Sequence, residues 1–421
     1  MQIVIFTIGT EGDVRPLVAL GAGLKQRGHK VRLATHPMFR NLIERHGLEF
    51  AELDGDFRDW MSTDKKIMGR ALRIGEMLTA FRQKLKEISK NWPEQGMVAA
   101  RGADLIIGNG MVSQLGCALG ERLGIACIET QLVPSFPSSN PPPVPLPPSM
   151  YGLPPSLNYG LGWLVRRSMA YVIQPAYDEH IRPQLGLAPF GRRSPYKTLN
   201  ASHLRLVGVS PTLVPRYPGW PDTIQVVGQW GLTESENWQP PAHLDEFLQN
   251  GEKPVYIGFG SMYHAGAAEL TDLFKKVLEH TGMRAVIVTG WGGLDGVVGT
   301  TTSQLAVIDR APHDWLFQHV GMAVHHGGAG TTHAAARAGI PSVVMPVFGD
   351  QPFWASRLNR LGAAPPALPR KKASFERLLK AFSAAAGSKM QASARHLGRV
   401  IRSEDGVGTA IDLMERHGVV R

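Results

Sequence analysis

Cysteine is nearly absent. The 421-residue chain holds only two, Cys117 and Cys127, each in an apolar stretch. That excludes a disulfide-stapled scaffold and reads as two buried thiols in a reducing compartment. Charged residues are sparse at 19%, but a hydrophobic share of 43% excludes a disordered chain. Long hydrophobic runs are missing, since no stretch approaches the roughly 20 apolar residues of a membrane span. Met1 leads directly into Ile3-Val4-Ile5-Phe6, without the basic segment and long apolar core of a leader. A cytoplasmic protein is the expectation. Acid is in deficit: Lys+Arg 45 against Asp+Glu 35 leave a net charge of +10. That balance suits an anionic ligand or an acidic membrane surface, although a solvated basic surface accounts for most of it. Nucleic acid is not an expected partner, because there is no basic run with interleaved aromatics, no zinc spacing and no recognition-helix pattern.

Glycine (47) and proline (31) are abundant, which predicts many short turns and one or two stiff connections. At roughly 150 residues per domain, the length predicts two or three domains. The chain opens as strand, loop, helix. Residues 2–8 are apolar and β-branched, Gly9 to Asp13 form a polar loop, and Pro16 fits a first helical turn. Leu17, Leu20 and Leu24 then recur at helical spacing up to Gly28. Residues 31–35 read as a second strand, 41–46 as a helix and 48–50 as extended, with further buried strands at 104–108 and 125–128. Strands alternating with helices predict a parallel sheet covered on both faces.

Residues 134–156 have a different texture. They include Pro141-Pro142-Pro143 and Pro147-Pro148, an extended and stiff stretch. An aromatic, apolar helix from Trp163 to Tyr177 follows. The region reads either as a surface loop with a core helix or as a wall of a hydrophobic acceptor pocket. Arg166 and Arg167 beside apolar residues suit shallow membrane contact, and a solvated helix face explains them equally well. Residues 204–210 read as the last strand of the first domain, and 211–241, rich in Pro, Gly and Trp, as the interdomain connection. A second alternation has a strand running into a Gly/Ser loop over 255–261, strands at 285–289, 305–308, 322–324 and 343–345, a helix starting after Gly330, and a helical end from about 374 to 417. The expected architecture is α/β, with two Rossmann-like domains facing each other across a ligand-binding cleft. The boundaries fall at 1–228 and 229–400, with 401–421 a terminal helix packing back on the first domain.

The strongest chemical signal is His325-His326-Gly327-Gly328-Ala329-Gly330-Thr331-Thr332, between a short strand and an alanine-rich helix. Glycines let backbone approach a ligand, N–H groups at a helix start point outward, and the helix dipole favours negative charge there. A histidine and Thr331 or Thr332 add side-chain donors. The turn reads as a phosphate cradle, though not a P-loop, because the Lys-Ser/Thr pair is absent. The alternative is a tight turn with packing histidines. Downstream, Asp350 and Gln351 combine acceptors and donors as vicinal sugar hydroxyls require, or Asp350 is a turn residue. Upstream, Arg310-Ala311-Pro312-His313-Asp314-Trp315 suits reading of a nucleobase edge, or a plain helix start.

These segments together resemble a family 1 glycosyltransferase of GT-B fold, within it the sterol 3-β-glucosyltransferases and related bacterial antibiotic glycosyltransferases. The resemblance rests on residues 9–16 (GTEGDVRP), 254–262 (PVYIGFGSM), 291–294 (WGGL), 312–317 (PHDWLF) and the block from His325 to Trp354. It implies that His326 donates to a donor phosphate and that Gly328, Gly330 and Thr331 line the diphosphate. Ser261 would reach the same diphosphate, and Asp350 and Gln351 would bind sugar hydroxyls. It further implies that His313 holds the base edge. Arg310 stands where plant members place a stacking tryptophan, which makes Trp291 the candidate to stack. Asp13 follows the sterol-type pattern and is implied as the catalytic base. A carboxylate with an ordinary pKa of about 4 is ionised at pH 7 and can accept a hydroxyl proton. The competing role for Asp13 is helix N-capping.

The resemblance implies an inverting displacement in which UDP-glucose and a lipophilic alcohol (sterol, terpenoid or polyketide) give a β-glycoside. No metal or resident cofactor is expected, since backbone and histidine donors take the cation's place and the second half has no Asp-x-Asp motif. The enzyme alternative is transfer of a dTDP-deoxysugar to an antibiotic aglycone. A nucleotide-sugar epimerase and an inactive donor-binding protein are the remaining classes.

Overall fold

The computed structural model describes residues 1–55, 74–144, 146, 148–197, 203–233, 238–259, 267–289, 299, 301–347 and 349–421. The chain divides into two units. The first holds Met1–Pro142, Leu153–Leu232 and Asp405–Arg421, and the second Pro143–Gly152 and Thr233–Glu404. The division falls at 232/233 rather than the expected 228/229, the terminal segment of the first unit starts at 405 rather than 401, and 143–152 separates from its neighbours.

Among its described residues, the first unit is built on seven parallel strands: β1 (Gln2–Phe6), β2 (Lys30–Thr35), β3 (Glu49–Glu52), β4 (Leu105–Asn109), β5 (Ala126–Gln131), β6 (Arg205–Val207) and β7 (Ile224–Val226), in the order β3-β2-β1-β4-β5-β6-β7. Ile3, Val4, Ile5 and Phe6 are all buried, as are Leu105, Ile106 and Ile107. Strands apolar on both faces need cover on both, and helices supply it. Strand order reverses between β1 and β4, and the loops after those strands form the crevice where ligands bind in such sheets.

The second unit has, among its described residues, five parallel strands: β8 (Val255–Gly258), β9 (Ala285–Val288), β10 (Leu305–Ile308), β11 (Met322–His325) and β12 (Ser342–Val344), in the order β10-β9-β8-β11-β12. Its reversal lies between β8 and β11, so the histidine–glycine turn leaves β11 at the switch point.

Several boundaries differ from the sequence reading for local reasons. The first helix spans Glu11–Gln26, so Pro16 lies in its interior rather than its first turn and removes the N–H that would meet the Gly12 carbonyl. The aromatic helix is Pro155–Ala176, starting eight residues before Trp163 because Pro155 occupies a first-turn position. The helix after the glycine turn starts at Ala329, with Gly328 extended at the N-cap, so Gly330 is its second residue. The stretch read as a connection, 211–241, contains β7. The helix Gly406–Arg416 belongs to the first unit. The Trp230 indole donates to the Gly406 carbonyl at 3.2 Å, and a Cβ on Gly406 would meet the Gln229 carbonyl at 2.4 Å. The ion pairs of Arg27 with Asp412 and Glu415 are exposed and add little beside that packing.

Candidate functional site

In the first unit, the turn from β1 into its helix is organised around Asp13. The Thr10 amide and hydroxyl both donate to Asp13 Oδ2, at 2.8 and 3.0 Å. Thr10 is the N-cap and Asp13 the third helical residue, so the carboxylate forms the return half of a capping box. Gly9 makes this possible. Its φ is +134°, and a Cβ there would lie 2.3 Å from Asp13 Oδ2. Burial raises the Asp13 pKa above the usual carboxylate value, and the two Thr10 hydrogen bonds pull it back. Beneath the turn, the Thr7 hydroxyl donates to the Asp13 carbonyl at 3.2 Å. Asn109 Nδ2 donates to Thr7 at 3.2 Å, and the Thr130 hydroxyl to Asn109 Oδ1 at 3.2 Å. This buried chain ties the ends of β1, β4 and β5 together and fixes the turn's backbone.

In the second unit, His325 ends β11 and is fully buried. Its Nδ1 accepts from the Gly327 amide at 3.0 Å. Burial, with His326 and His313 nearby, holds its pKa down at about 3, so the ring is neutral at pH 7. His326 is half-buried, and its imidazole lies over Gly328, where a Cβ would approach Nε2 to 2.5 Å. Gly327 has φ +91°, and a Cβ there would meet Val344 at 2.7 Å and the Gln351 carbonyl at 3.1 Å. The protein therefore explains glycine at 327 and 328. At Gly330 a Cβ would meet none of the described residues within 4 Å, and Gly330 is exposed at the start of the helix Ala329–Ala338. No side chain caps that helix and no acid lies in its first turn, which leaves its positive end open to an anion. Thr332 is buried and Thr331 only half-buried, so Thr331 is the better exposed hydroxyl.

Asp350 and Gln351 lie next to this turn. The Trp354 indole donates to Asp350 Oδ2 at 2.6 Å, and Gln351 Oε1 accepts from the Val347 amide at 2.8 Å. Trp354 meets His333 edge-on at 4.9 Å, and burial lowers the His333 pKa to about 4. His313 is fixed by the Tyr256 hydroxyl at 3.1 Å from Nε2 and by stacking on Phe317 at 4.7 Å. Arg310 projects into solvent with its side chain 87% exposed, 3.9 Å from Asp309. Ser261 and Trp291 lie outside the described residues.

The second unit thus gathers His313, His326, Gly328, Gly330, Thr331, Asp350 and Gln351 around one strand-to-helix turn, and the first holds Asp13 alone. Sequence reasoning missed Thr10, Tyr256 and Trp354, the partners that orient Asp13, His313 and Asp350. A Thr-x-x-Asp spacing was a readable cap signal for the first; the other two depend on tertiary placement. Among the described residues, no cluster of three or more His, Cys, Asp or Glu side chains is arranged to hold a metal ion.

Comparison with known proteins adds to this geometry. The family model "Glycosyltransferase family 28 N-terminal domain" matches residues 3–139, and "Erythromycin biosynthesis protein CIII-like, C-terminal domain" matches residues 292–397. Two sterol 3-beta-glucosyltransferases of Arabidopsis thaliana are 33% and 31% identical over 426 and 429 residues. Each alignment takes in 99% of this chain, and 66% and 68% of the respective relative. The chain therefore spans about two thirds of their length. The crystal structure of the calicheamicin glycosyltransferase superposes with a TM-score of 0.73 at 18% identity, over 99% of this chain and 98% of that one; at that identity the likeness concerns the fold.

Proposed function

Because the chain belongs to the GT-B glycosyltransferases, in the family of the sterol 3-beta-glucosyltransferases, we propose that it moves glucose from UDP-glucose to a hydroxyl of a lipophilic acceptor. A sterol, terpenoid or polyketide alcohol is the acceptor class, and inversion of an α-linked donor gives a β-glycoside. The observation that supports the reading most is the uncapped helix start Gly328–Gly330, where among the described residues nothing accounts for glycine at 330.

In this reading the donor diphosphate lies on the Gly328–Thr331 backbone, with His326 and Ser261 donating to its oxygens and Asp350 and Gln351 to the sugar hydroxyls. His313 faces the base, with Trp291 or Arg310 beside it. The acceptor oxygen attacks the anomeric carbon as its proton passes to Asp13. Both Thr10 bonds fall on Oδ2, so Oδ1 is the oxygen that takes the proton. The C–O bond to the diphosphate breaks with its electron pair, and the helix start and His326 stabilise the charge that develops. We assign this stabilisation to protein donors rather than to a metal, and we place the reaction in the cytoplasm.

The match of residues 292–397 to the erythromycin-type model supports one second reading: a dTDP-deoxysugar donor and an antibiotic aglycone. Mass spectrometry of products from UDP-glucose and dTDP-sugars, each with sterols, flavonoids and macrolides, separates the two. A hexose added from UDP-glucose alone supports the first, and transfer from dTDP-sugars alone replaces it with the second.

A further inference from the structure

We infer that the outer face of the helix Pro155–Ala176 is a docking surface for an anionic lipid bilayer. The inference stands on the first unit alone and is independent of the acceptor proposed above. Among the described residues, six of the eleven large hydrophobic side chains that are exposed lie on this one helix. Leu157 is 56% exposed, Trp163 53%, Leu164 60% and Tyr171 48%. Leu157, Gly160, Leu164, Arg167 and Tyr171 recur at alternating steps of three and four, so they form one stripe, with Trp163 along its margin.

The other side of the helix is fixed to the protein. Val172, Ile173 and Ala176 are buried, Asn158 donates to the carbonyls of Ser139 and Leu153 at 2.9 and 3.1 Å, and a Cβ on Gly162 would lie 2.9 Å from Pro137. The stripe is therefore held facing water, where single exposed apolar residues are ordinary but a contiguous band marks a contact site.

Charge selects the occupant. From Thr130 to Tyr177 the chain contains no aspartate or glutamate, and its only charges are Arg166 and Arg167. The Arg82 guanidinium stacks 4.8 Å over Tyr171, and Arg192 and Arg193 are exposed beside Gly191, whose carbonyl accepts from Gln174. Arg166 turns inward over the Phe136 and Tyr196 rings, near Glu129, so Arg167 is the helix's outward charge. The acids that follow the helix are engaged: Glu179 pairs with Lys86, and Asp178 accepts from the amides of Phe190 and Gly191. Tryptophan, leucine and tyrosine bordered by arginine, on a helix too polar to cross a membrane, is the composition that lies in the headgroup layer. Anionic lipid adds attraction at each exposed arginine, Arg167, Arg192 and Arg193.

The test is cosedimentation of the full chain with vesicles of phosphatidylcholine alone and of phosphatidylcholine with phosphatidylglycerol, at low and high salt. Binding to the anionic vesicles, weakened by salt, is expected. The double variant Trp163→Ser/Leu164→Glu should lower the partition coefficient at least tenfold and Arg167→Glu several-fold, with circular dichroism melts unchanged because these side chains are exposed. Absence of vesicle binding, or equal binding by wild type and folded variants, overturns the inference. A concentration-dependent dimer that the double variant abolishes, in a chain that ignores vesicles, overturns it as well and assigns the stripe to a second copy.

Discussion

The two units share a topology and use it in opposite ways. Each has a strand that runs into a helix at the point where strand order reverses. After β1 the helix start is filled by the chain's own acids: Glu11 and Asp13 lie in the first turn, and Asp13 closes on Thr10. After β11 the helix start has glycine at its cap, no acid and no capping side chain. The same backbone dipole is satisfied internally in one unit and left open in the other. A helix start that already has its carboxylate is a poor anion site but holds that carboxylate in one place, as a proton acceptor requires. The bare one is poor for stability and suited to a diphosphate.

The largest effect that tests this contrast is on turnover. Asp13→Asn should lower transfer by about 10²–10⁴-fold, the usual contribution of a general base, with UDP affinity by calorimetry unchanged. Equal rates in the two proteins would remove Asp13 from the chemistry. Next is Gly330→Val. Since no described residue lies within 4 Å of that Cβ, the fold should tolerate it, while UDP affinity should fall at least tenfold from collision with the diphosphate. Gly328→Ala differs in kind, because the His326 ring must move. His326→Ala should weaken UDP binding by about 1–3 kcal/mol, the range for a hydrogen bond to a charged group; unchanged affinity would take His326 off the phosphate.

Two smaller effects concern protons. The Asp13 pKa is raised by burial, so kcat/KM should fall on the acid side at a pH above the ordinary carboxylate value. Thr10→Val removes one donor to the carboxylate and should move that limb higher, at a stability cost of about 1 kcal/mol. An acid limb that stays in place would show that Asp13 does not set it. In the second unit, His325 and His333 have folded pKa values of about 3 and about 4 against 6.5 unfolded. The unfolded chain then binds more protons between those values, so stability falls as pH drops below about 6.5 and is undisturbed by these groups above it. Melting temperatures from pH 8 to 4.5 check the direction; a rise on acidification would contradict it.

Much of this contrast was legible in the sequence. Apolar runs such as 3–6, 105–107 and 285–287 are buried in strands, and a parallel sheet needs no other pattern. The glycine turn was legible because three glycines before an alanine-rich helix have few other uses. What escaped depended on tertiary placement. Nothing in the local pattern of Pro143–Gly152 assigns it to the second unit, where Arg360 donates to the Tyr151 carbonyl. The three residues of β7 inside a Pro/Gly stretch are too few for a periodicity. The distinction between Gly327 and Gly330, both simply glycine in sequence, appears only when their surroundings are known.

The most direct test crosses the two turns in one experiment, measuring UDP affinity by calorimetry and hexose transfer to a lipophilic alcohol for wild type, Asp13→Asn and Gly330→Val. The account predicts that Asp13→Asn binds UDP like wild type and transfers hexose about 10²–10⁴-fold more slowly, and that Gly330→Val binds UDP at least tenfold more weakly in a folded protein. Full UDP affinity in Gly330→Val together with full transfer by Asp13→Asn would contradict it.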